Sequence, residues 1–153
     1  DMVNDVEFIL NFARILEAVN RLATNEKVKY FANLLKNGYF TEDKIKNYEF
    51  EEYFDTLNTM SYREIEILLL FYKYTSNREL NSQKDWQDNY LNEVKAQFDL
   101  ENTEIISILN SLQRTGFLDK ILDRGLWFST ESIKIDVWTT SYFEKFAKRI
   151  IAE

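Results

Sequence analysis

The sequence predicts a mainly α-helical domain, with a helical N-terminal half and a C-terminal half that combines helices with a small β-hairpin. Three observations support this prediction. The 153 residues contain no proline, which is the strongest helix breaker. Apolar residues recur every three or four positions along most of the chain, and in one segment near the C-terminus they alternate with polar residues. A chain of this length suits one domain, and we expect residues 1–60 and 61–153 to be its two subdomains.

Two helices are predicted in the first forty residues. The first runs from about residue 4 to 22, and its apolar face carries Val6, Ile9, Ala13, Leu16 and Val19. Thr24 or Asn25 caps the second helix. Asn37 and Gly38 end it as a glycine cap, because glycine readily adopts the left-handed conformation that often follows a last helical turn.

A third and a fourth helix are predicted from their capping residues. Thr41 is followed by two acids and starts the third helix, because a hydroxyl and first-turn carboxylates complement exposed backbone amides. Ser61 and Glu64 form a capping box that starts the fourth helix. This fourth helix is apolar on nearly all sides, so we expect it to be buried and central. The polar segment 76–84 is predicted to be a surface loop.

Three further helices follow in the C-terminal half. Four-residue intervals predict a fifth helix that carries Trp86, Tyr90, Val94 and Phe98. Asn102 or Thr103 caps a sixth helix, which ends before Gly116. Ser141 and Glu144 form a second capping box and start the last helix.

One region has the pattern of a β-strand. Ile133, Ile135 and Val137 alternate with polar residues, which is typical of a half-buried strand. Residues 123–125 have the composition of a turn and would bring this strand back onto residues 117–122. The sequence therefore predicts a short hairpin between the last two helices.

Two pairs of segments resemble known proteins. ILNSLQRTGFLDK (108–120) and VWTTSYFEKFAKRI (137–150) resemble a winged helix-turn-helix, in which a helix ending in glycine leads into the wing and a threonine-rich cap opens the closing helix. KVKYFANLLKNGYF (27–40) and EEYFDTLNTMSYREIEILLL (51–70) resemble uncharacterised bacterial and phage helical proteins associated with abortive infection. The resemblance implies a helical protein with a winged end, active in bacterial or phage defence.

The winged resemblance makes DNA a candidate partner. The residues that would contact DNA are Ser107, Asn110, Ser111 and Arg114 on the sixth helix, and Lys120, Arg124 and Lys134 on the wing. The charge disfavours this partner. The whole chain has 19 Lys and Arg residues against 26 Asp and Glu residues, a net charge of −7. Phosphate neutralisation supplies most non-specific DNA affinity, so an acidic domain has little to offer a nucleic acid.

Aromatic residues are concentrated near the third helix. Six lie within sixteen positions: Tyr39, Phe40, Tyr48, Phe50, Tyr53 and Phe54. A single helix face cannot bury all of them against one neighbour. Two interpretations remain open: either some rings form a protein interface, where aromatic residues are enriched, or the helix is packed on two sides in the core.

The composition argues against catalysis. The chain has no histidine and no cysteine, which removes the commonest general base, the commonest metal ligand and the thiol nucleophile. Three glycines supply no phosphate-binding loop. We therefore expect no catalytic, cofactor or metal site and no enzyme activity. No apolar run reaches the length of a membrane span, and we expect a cytoplasmic protein that does not bind membranes.

These observations lead to two hypotheses for function. The first is a non-enzymatic interaction or adaptor domain that self-associates or binds a protein partner through its helical half. The alternative is a winged-helix DNA-binding transcriptional regulator.

Overall fold

A computed structural model describes residues 2–22, 25–76, 83–120, 135 and 137–151. These residues are mainly helical and include one small antiparallel sheet. The helices are α1 Met2–Asn20, α2 Val28–Tyr39, α3 Asn47–Thr59, α4 Tyr62–Ser76, α5 Gln83–Phe98, α6 Asn102–Ser111 and α7 Ser141–Ile150. The strands are β1 Leu118–Lys120 and β2 Val137–Thr139. The predicted mainly helical fold with a small hairpin is confirmed at this level.

The chain divides into two compact units. The first comprises residues 1–62 and 144–153, and the second comprises residues 63–143. Helices α1 to α3 and most of α7 belong to the first unit, and the two strands belong to the second together with α5, α6 and nearly all of α4. The predicted subdomains, 1–60 and 61–153, stay a prediction.

The core of the first unit consists of large apolar side chains from α2, α3 and α7. The fully or almost fully buried ones are Phe31, Leu34, Phe50, Tyr53, Leu57, Phe146 and Ile150. The rings of Tyr53 and Phe146 meet edge to face, with their centroids 5.4 Å apart. Residues far apart in sequence therefore form one core here.

The start of α3 was predicted wrongly. The helix begins at Asn47 rather than near Thr41. The hydroxyl of Thr41 donates to the carbonyl of Asn37 at 2.8 Å, so it satisfies the end of α2 instead. The backbone amide of Lys46 donates to the side chain of Glu49 at 3.3 Å, and this bond caps the start of α3 in place of Thr41.

Gly38 has a different role from the one predicted. Helix α2 continues through Gly38 to Tyr39, so the predicted glycine cap is wrong. A Cβ atom on Gly38 would lie only 2.8 Å from Cγ2 of Ile45, and the amide of Ile45 donates to the Gly38 carbonyl at 2.8 Å. The glycine is therefore required by the close approach of the chain that follows α2, not by a left-handed conformation.

The end of α7 is held by polar side chains from α2 and the segment after it. Nδ2 of Asn37 donates to the carbonyls of Arg149 and Ile151 at 3.2 and 2.9 Å. The Arg149 guanidinium donates to the carbonyls of Asn37 and Asp43, both at 2.7 Å. The Asn37 bonds satisfy carbonyl groups at the end of α7, and the Arg149 bonds tie α7 to the end of α2 and to the segment after it.

The core of the second unit is organised around α4. This helix begins at Tyr62, directly after Ser61, as the capping box predicted. Its residues Ile67 and Phe71 are fully buried, which confirms the prediction that the helix is largely internal. The Phe71 ring contacts the rings of Trp86 and Tyr90 on α5, with centroids 5.9 and 5.5 Å apart.

Helix α6 and its connection agree closely with the sequence. The helix starts at Asn102, with Glu101 rather than Asn102 or Thr103 in the capping position. After a final 3₁₀ turn, Gly116 has a φ angle of 72°, the left-handed conformation predicted for it. Most of the polar segment 76–84 lies outside the described residues.

The predicted pair of short strands is present as the antiparallel pair β1 and β2, in which Asp119 lies opposite Trp138. The second strand lies later than predicted: of the alternating residues only Val137 is in it, Ile135 is buried before it, and Ile133 lies outside the described residues. The predicted turn at residues 123–125 lies outside the described residues. Helix α7 begins at Ser141, one residue earlier than a cap at Ser141 would give. Thr140 takes the capping role instead: its hydroxyl oxygen accepts from the amide of Phe143 at 3.3 Å.

Candidate functional site

Helix α1 packs within the first unit through a narrow face. Asn11, Ile15 and Ala18 are the buried residues of this face. Nδ2 of Asn11 donates to the hydroxyl of Tyr39 at 2.6 Å and to Oδ1 of Asn47 at 3.0 Å. These polar bonds, together with the apolar contacts beside them, fix which side of α1 faces the other helices.

The opposite side of α1 is apolar and exposed. Val6, Ile9, Leu10, Phe12 and Leu16 have exposed fractions of 56, 62, 60, 43 and 48%. Ala13, which lies among them, is exposed as well. The apolar face predicted from helical spacing is therefore largely exposed to solvent. Helix α1 carries apolar residues on both sides, a composition typical of helices that are buried on both sides.

Phe40, just after α2, extends this exposed surface. Its side chain is 70% exposed, and its ring meets the ring of Phe8 edge to face at 5.4 Å. Phe8 in turn stacks on Phe12, with centroids 6.1 Å apart. We call the exposed residues together the outer α1 surface: Val6, Ile9, Leu10, Phe12, Ala13, Leu16 and Phe40.

The outer α1 surface is large for a protein of this size. A fully exposed aromatic side chain offers about 150 to 250 Å², and an aliphatic one somewhat less. The six large side chains therefore leave roughly 600 Å² of mostly apolar surface in solvent, at the upper end of the largest patch on a typical monomer, about 300 to 600 Å². Patches of this size commonly mark interaction sites.

The six aromatic residues singled out from the sequence divide between core and surface. Phe50 and Tyr53 are buried in the first unit, so they cannot contact a partner while the unit is folded. Phe54 is half-buried and packs between the rings of Phe31 and Phe50.

The other three aromatic candidates are more accessible. Tyr39 is half-buried, and burial raises the pKa of its hydroxyl. Phe40 and Tyr48 are exposed, with fractions of 70 and 57%. Of the six, Phe40 joins the outer α1 surface through its contact with Phe8. The remaining residues of that surface were not singled out as a site, because their spacing is also that of an ordinary core face.

The candidate DNA-binding residues on α6 are exposed but engaged with neighbours. Nη2 of Arg114 contacts Oε1 of Glu64 at 2.8 Å, and Nη1 donates to the carbonyl of Ser111 at 2.9 Å. Oδ1 of Asn110 accepts from the side chain of Gln113 at 3.2 Å. The Arg114 guanidinium, which was predicted to contact DNA bases, is thus paired with a carboxylate of its own unit.

The remaining DNA candidates do not form a described cluster. Ser107 is exposed on α6 and Lys120 is exposed on β1. Arg124 and Lys134 lie outside the described residues. Ser107 also lines a shallow depression of about 350 Å³, which Arg63 and Glu104 line as well. The lining of this depression contains one cation and one carboxylate, so it has no excess of positive charge.

Two classes of site have no support in the described part of the chain. Within it, no group of three or more Asp or Glu side chains is arranged to hold a metal ion. No helix in the same residues is long and apolar enough to cross a membrane.

The comparisons with known proteins identify no relative. No protein-family model matches the sequence, and neither a curated protein nor a solved structure matches it. The described surfaces are therefore the basis for assigning a function, and among them the outer α1 surface departs most from an ordinary polar exterior.

Proposed function

We propose that this chain is a non-enzymatic protein-interaction domain that binds a protein through its outer α1 surface. The observation that carries the proposal is the exposure of five large apolar side chains along one helix whose opposite face is already packed. Phe40 adds an aromatic ring that is 70% exposed. Such a surface is stabilised when a partner removes it from water, by roughly 25 cal/mol per Å² before the cost of association.

The edges of the surface support an interface as well. Asp5, Arg14 and Glu17 are exposed on α1 beside the apolar residues, and Arg21 is exposed directly after the helix. An apolar centre with a polar rim is the usual anatomy of a specific protein interface. The role in bacterial or phage defence is part of this proposal and rests on the sequence resemblance of residues 27–40 and 51–70 alone.

Site-specific photo-crosslinking in cells that express this protein tests the proposal. A photoreactive phenylalanine analogue at Leu10 is expected to form adducts with protein, because this side chain belongs to the outer α1 surface and is 60% exposed. The same analogue at Lys44, which is exposed after α2, is the control and should form few adducts. Mass spectrometry then identifies the captured protein. A folded chain that forms no more protein adducts from position 10 than from position 44 would contradict the proposed function.

A second candidate function is a winged-helix DNA-binding regulator. The antiparallel pair β1 and β2 that follows α6 favours it, since a winged helix places a hairpin after its recognition helix. The ion pair between Arg114 and Glu64 and the net charge of −7 weigh against it.

Salt-dependent DNA binding separates the two functions. We expect mixed-sequence duplex DNA to bind no tighter than about 10⁻⁴ M at physiological salt, the weak end of non-specific affinity. Arg114→Ala should leave this binding unchanged, because Glu64 already occupies that guanidinium. Fluorescence anisotropy at several salt concentrations measures both. Tighter, salt-sensitive binding that Arg114→Ala abolishes would favour the DNA-binding function instead.

A further inference from the structure

We propose that the outer α1 surface binds the same surface of a second copy of this chain, with the two α1 helices antiparallel about a two-fold axis. This inference rests on the proposed function, because it names the partner of that same surface.

The spacing of the exposed residues is that of a coiled-coil seam. Val6, Ile9, Ala13 and Leu16 are separated by three, four and three positions, the alternation that keeps one stripe facing a partner helix. All four are exposed. A helix that packed only inside its own unit would not need a second stripe with this spacing on its solvent side.

The seam is complementary to itself in the antiparallel direction. A two-fold axis at the level of residue 11 brings Val6 of one copy onto Leu16 of the other, and Ile9 onto Ala13. Each large side chain then meets a partner residue from the other end of the seam, as an isologous interface requires. The small side chain of Ala13 lets the two helices approach closely at the centre.

The residues beside the seam also fit this arrangement. In an antiparallel pair, each flank of one seam faces the same flank of the other seam. Leu10 therefore lies against Leu10 of the second copy on one side. Phe12 lies against its counterpart on the other side. Both side chains are substantially exposed, at 60 and 43%, and both would be covered.

Charge favours the antiparallel direction over the parallel one. Residues 2–10 carry Asp5 and Glu7, a net charge of −2, whereas residues 11–21 carry two arginines and one glutamate, a net charge of +1. Arg14 and Arg21 are already paired with Glu51 and Glu17 within the chain, so the gain comes from keeping the two Asp5 and Glu7 ends apart and from opposing the helix dipoles. A parallel pair would align like charges along the whole interface.

The area predicts a dimer of modest affinity. Complete burial of the outer α1 surface, roughly 600 Å² on each copy, would give at most about 1,200 Å², the lower limit for a specific interface. We therefore expect a dissociation constant on the order of 10 µM.

Sedimentation equilibrium of the whole chain tests the dimer. Ala13→Glu introduces a charge at the centre of the seam and is expected to weaken dimerisation about 100-fold or more. Ala32→Glu makes the same substitution at an exposed alanine of α2 and should leave the dissociation constant unchanged. Circular dichroism of both variants checks that they remain folded. A dimer that Ala13→Glu does not weaken would overturn the proposal, because its interface would then lie elsewhere.

Cysteine crosslinking tests the direction. The chain contains no cysteine, so Val6→Cys and Leu16→Cys each carry a single thiol. With a short bismaleimide, a mixture of the two variants should form the 6–16 crosslinked dimer, and each variant alone should form little. Efficient 6–6 and 16–16 crosslinks would overturn the antiparallel arrangement.

The two proposals fail in different ways. A monomeric chain whose position 10 captures a different protein in cells would overturn the self-association and leave the interaction function intact. A monomer that captures no protein would overturn both.

Discussion

Replacing Asn37 by aspartate is expected to lower the free energy of unfolding by about 3 kcal/mol, because it exchanges a buried donor for an acceptor of the same shape. Asn37 is 4% exposed. Its Nδ2 lies 2.9 to 3.4 Å from three carbonyl oxygens at the end of α7, those of Lys148, Arg149 and Ile151. An aspartate would point a carboxylate oxygen at these acceptors.

Two physical terms act in the same direction. The carboxylate loses much of its hydration in this site, which is costly without a donor. It also lies at the negative end of the α7 dipole, where an acidic side chain is unfavourable. The Arg149 guanidinium already donates to the backbone carbonyls of Asn37 and Asp43, so only part of its charge offsets the new carboxylate.

Asn33 provides a matched control for this substitution. Its Nδ2 donates to the carbonyl of Ile150 at 2.9 Å, but the residue is only half-buried. Asn33→Asp makes the same chemical change at a single hydrogen bond that is more exposed to solvent. It should lower the free energy of unfolding by about 1 kcal/mol. Urea unfolding of the two variants and the unchanged chain measures the difference. Equal losses at the two positions would show that the buried bonds of Asn37 do not hold the end of α7.

The elements of the fold were largely predictable because their signals are local. Ser61 indicated the start of α4, and Gly116 indicated the break after α6. The start of α3 was misplaced because a threonine hydroxyl can serve the helix before it as well as the helix after it. The Thr41 hydroxyl donates to the carbonyl of Asn37 at the end of α2, and no local sequence pattern distinguishes this role from capping α3. Asn37 itself gave no signal, since its acceptors lie 111 to 114 positions away.

The candidate surface was harder to predict than the fold. Helix α1 is apolar on both sides, and periodicity cannot tell which side faces the core. The choice is made by Asn11, whose amide bonds to Tyr39 and Asn47 and turns the Ile9 side outward. The same uncertainty about which side of a helix faces the core applied to the aromatic residues. Phe50 was included in a candidate interface, although it is fully buried.

The close approach of Gly38 and Ile45 predicts that the effect of Gly38→Ala on stability changes sign when the Ile45 side chain is shortened. Gly38→Ala alone is expected to destabilise the protein by about 2 kcal/mol, because overpacking a tight contact forces the neighbouring chain to move. The new Cβ would lie 2.8 Å from Cγ2 of Ile45. Rotation about the Cα–Cβ bond of Ile45 would move this methyl group, but Ile45 is only 7% exposed, so a new rotamer must fit among packed neighbours.

Removing Ile45 beyond its Cβ removes the obstacle. In an Ile45→Ala background, Gly38→Ala should become stabilising by up to about 1 kcal/mol, because alanine is the better helix former and Gly38 lies within α2. Ile45→Ala alone will destabilise the protein, since Ile45 is 7% exposed, so the relevant comparison is between the single and the double variant.

A double-mutant cycle measured by urea unfolding separates these contributions. The expected coupling between the two positions is about 2 to 3 kcal/mol, at the upper end for residues in direct contact. Gly38→Ala should therefore lower the unfolding midpoint of the unchanged chain and raise that of the Ile45→Ala variant. If Gly38→Ala lowers stability equally in both backgrounds, the cost lies in the glycine backbone itself and not in its contact with Ile45.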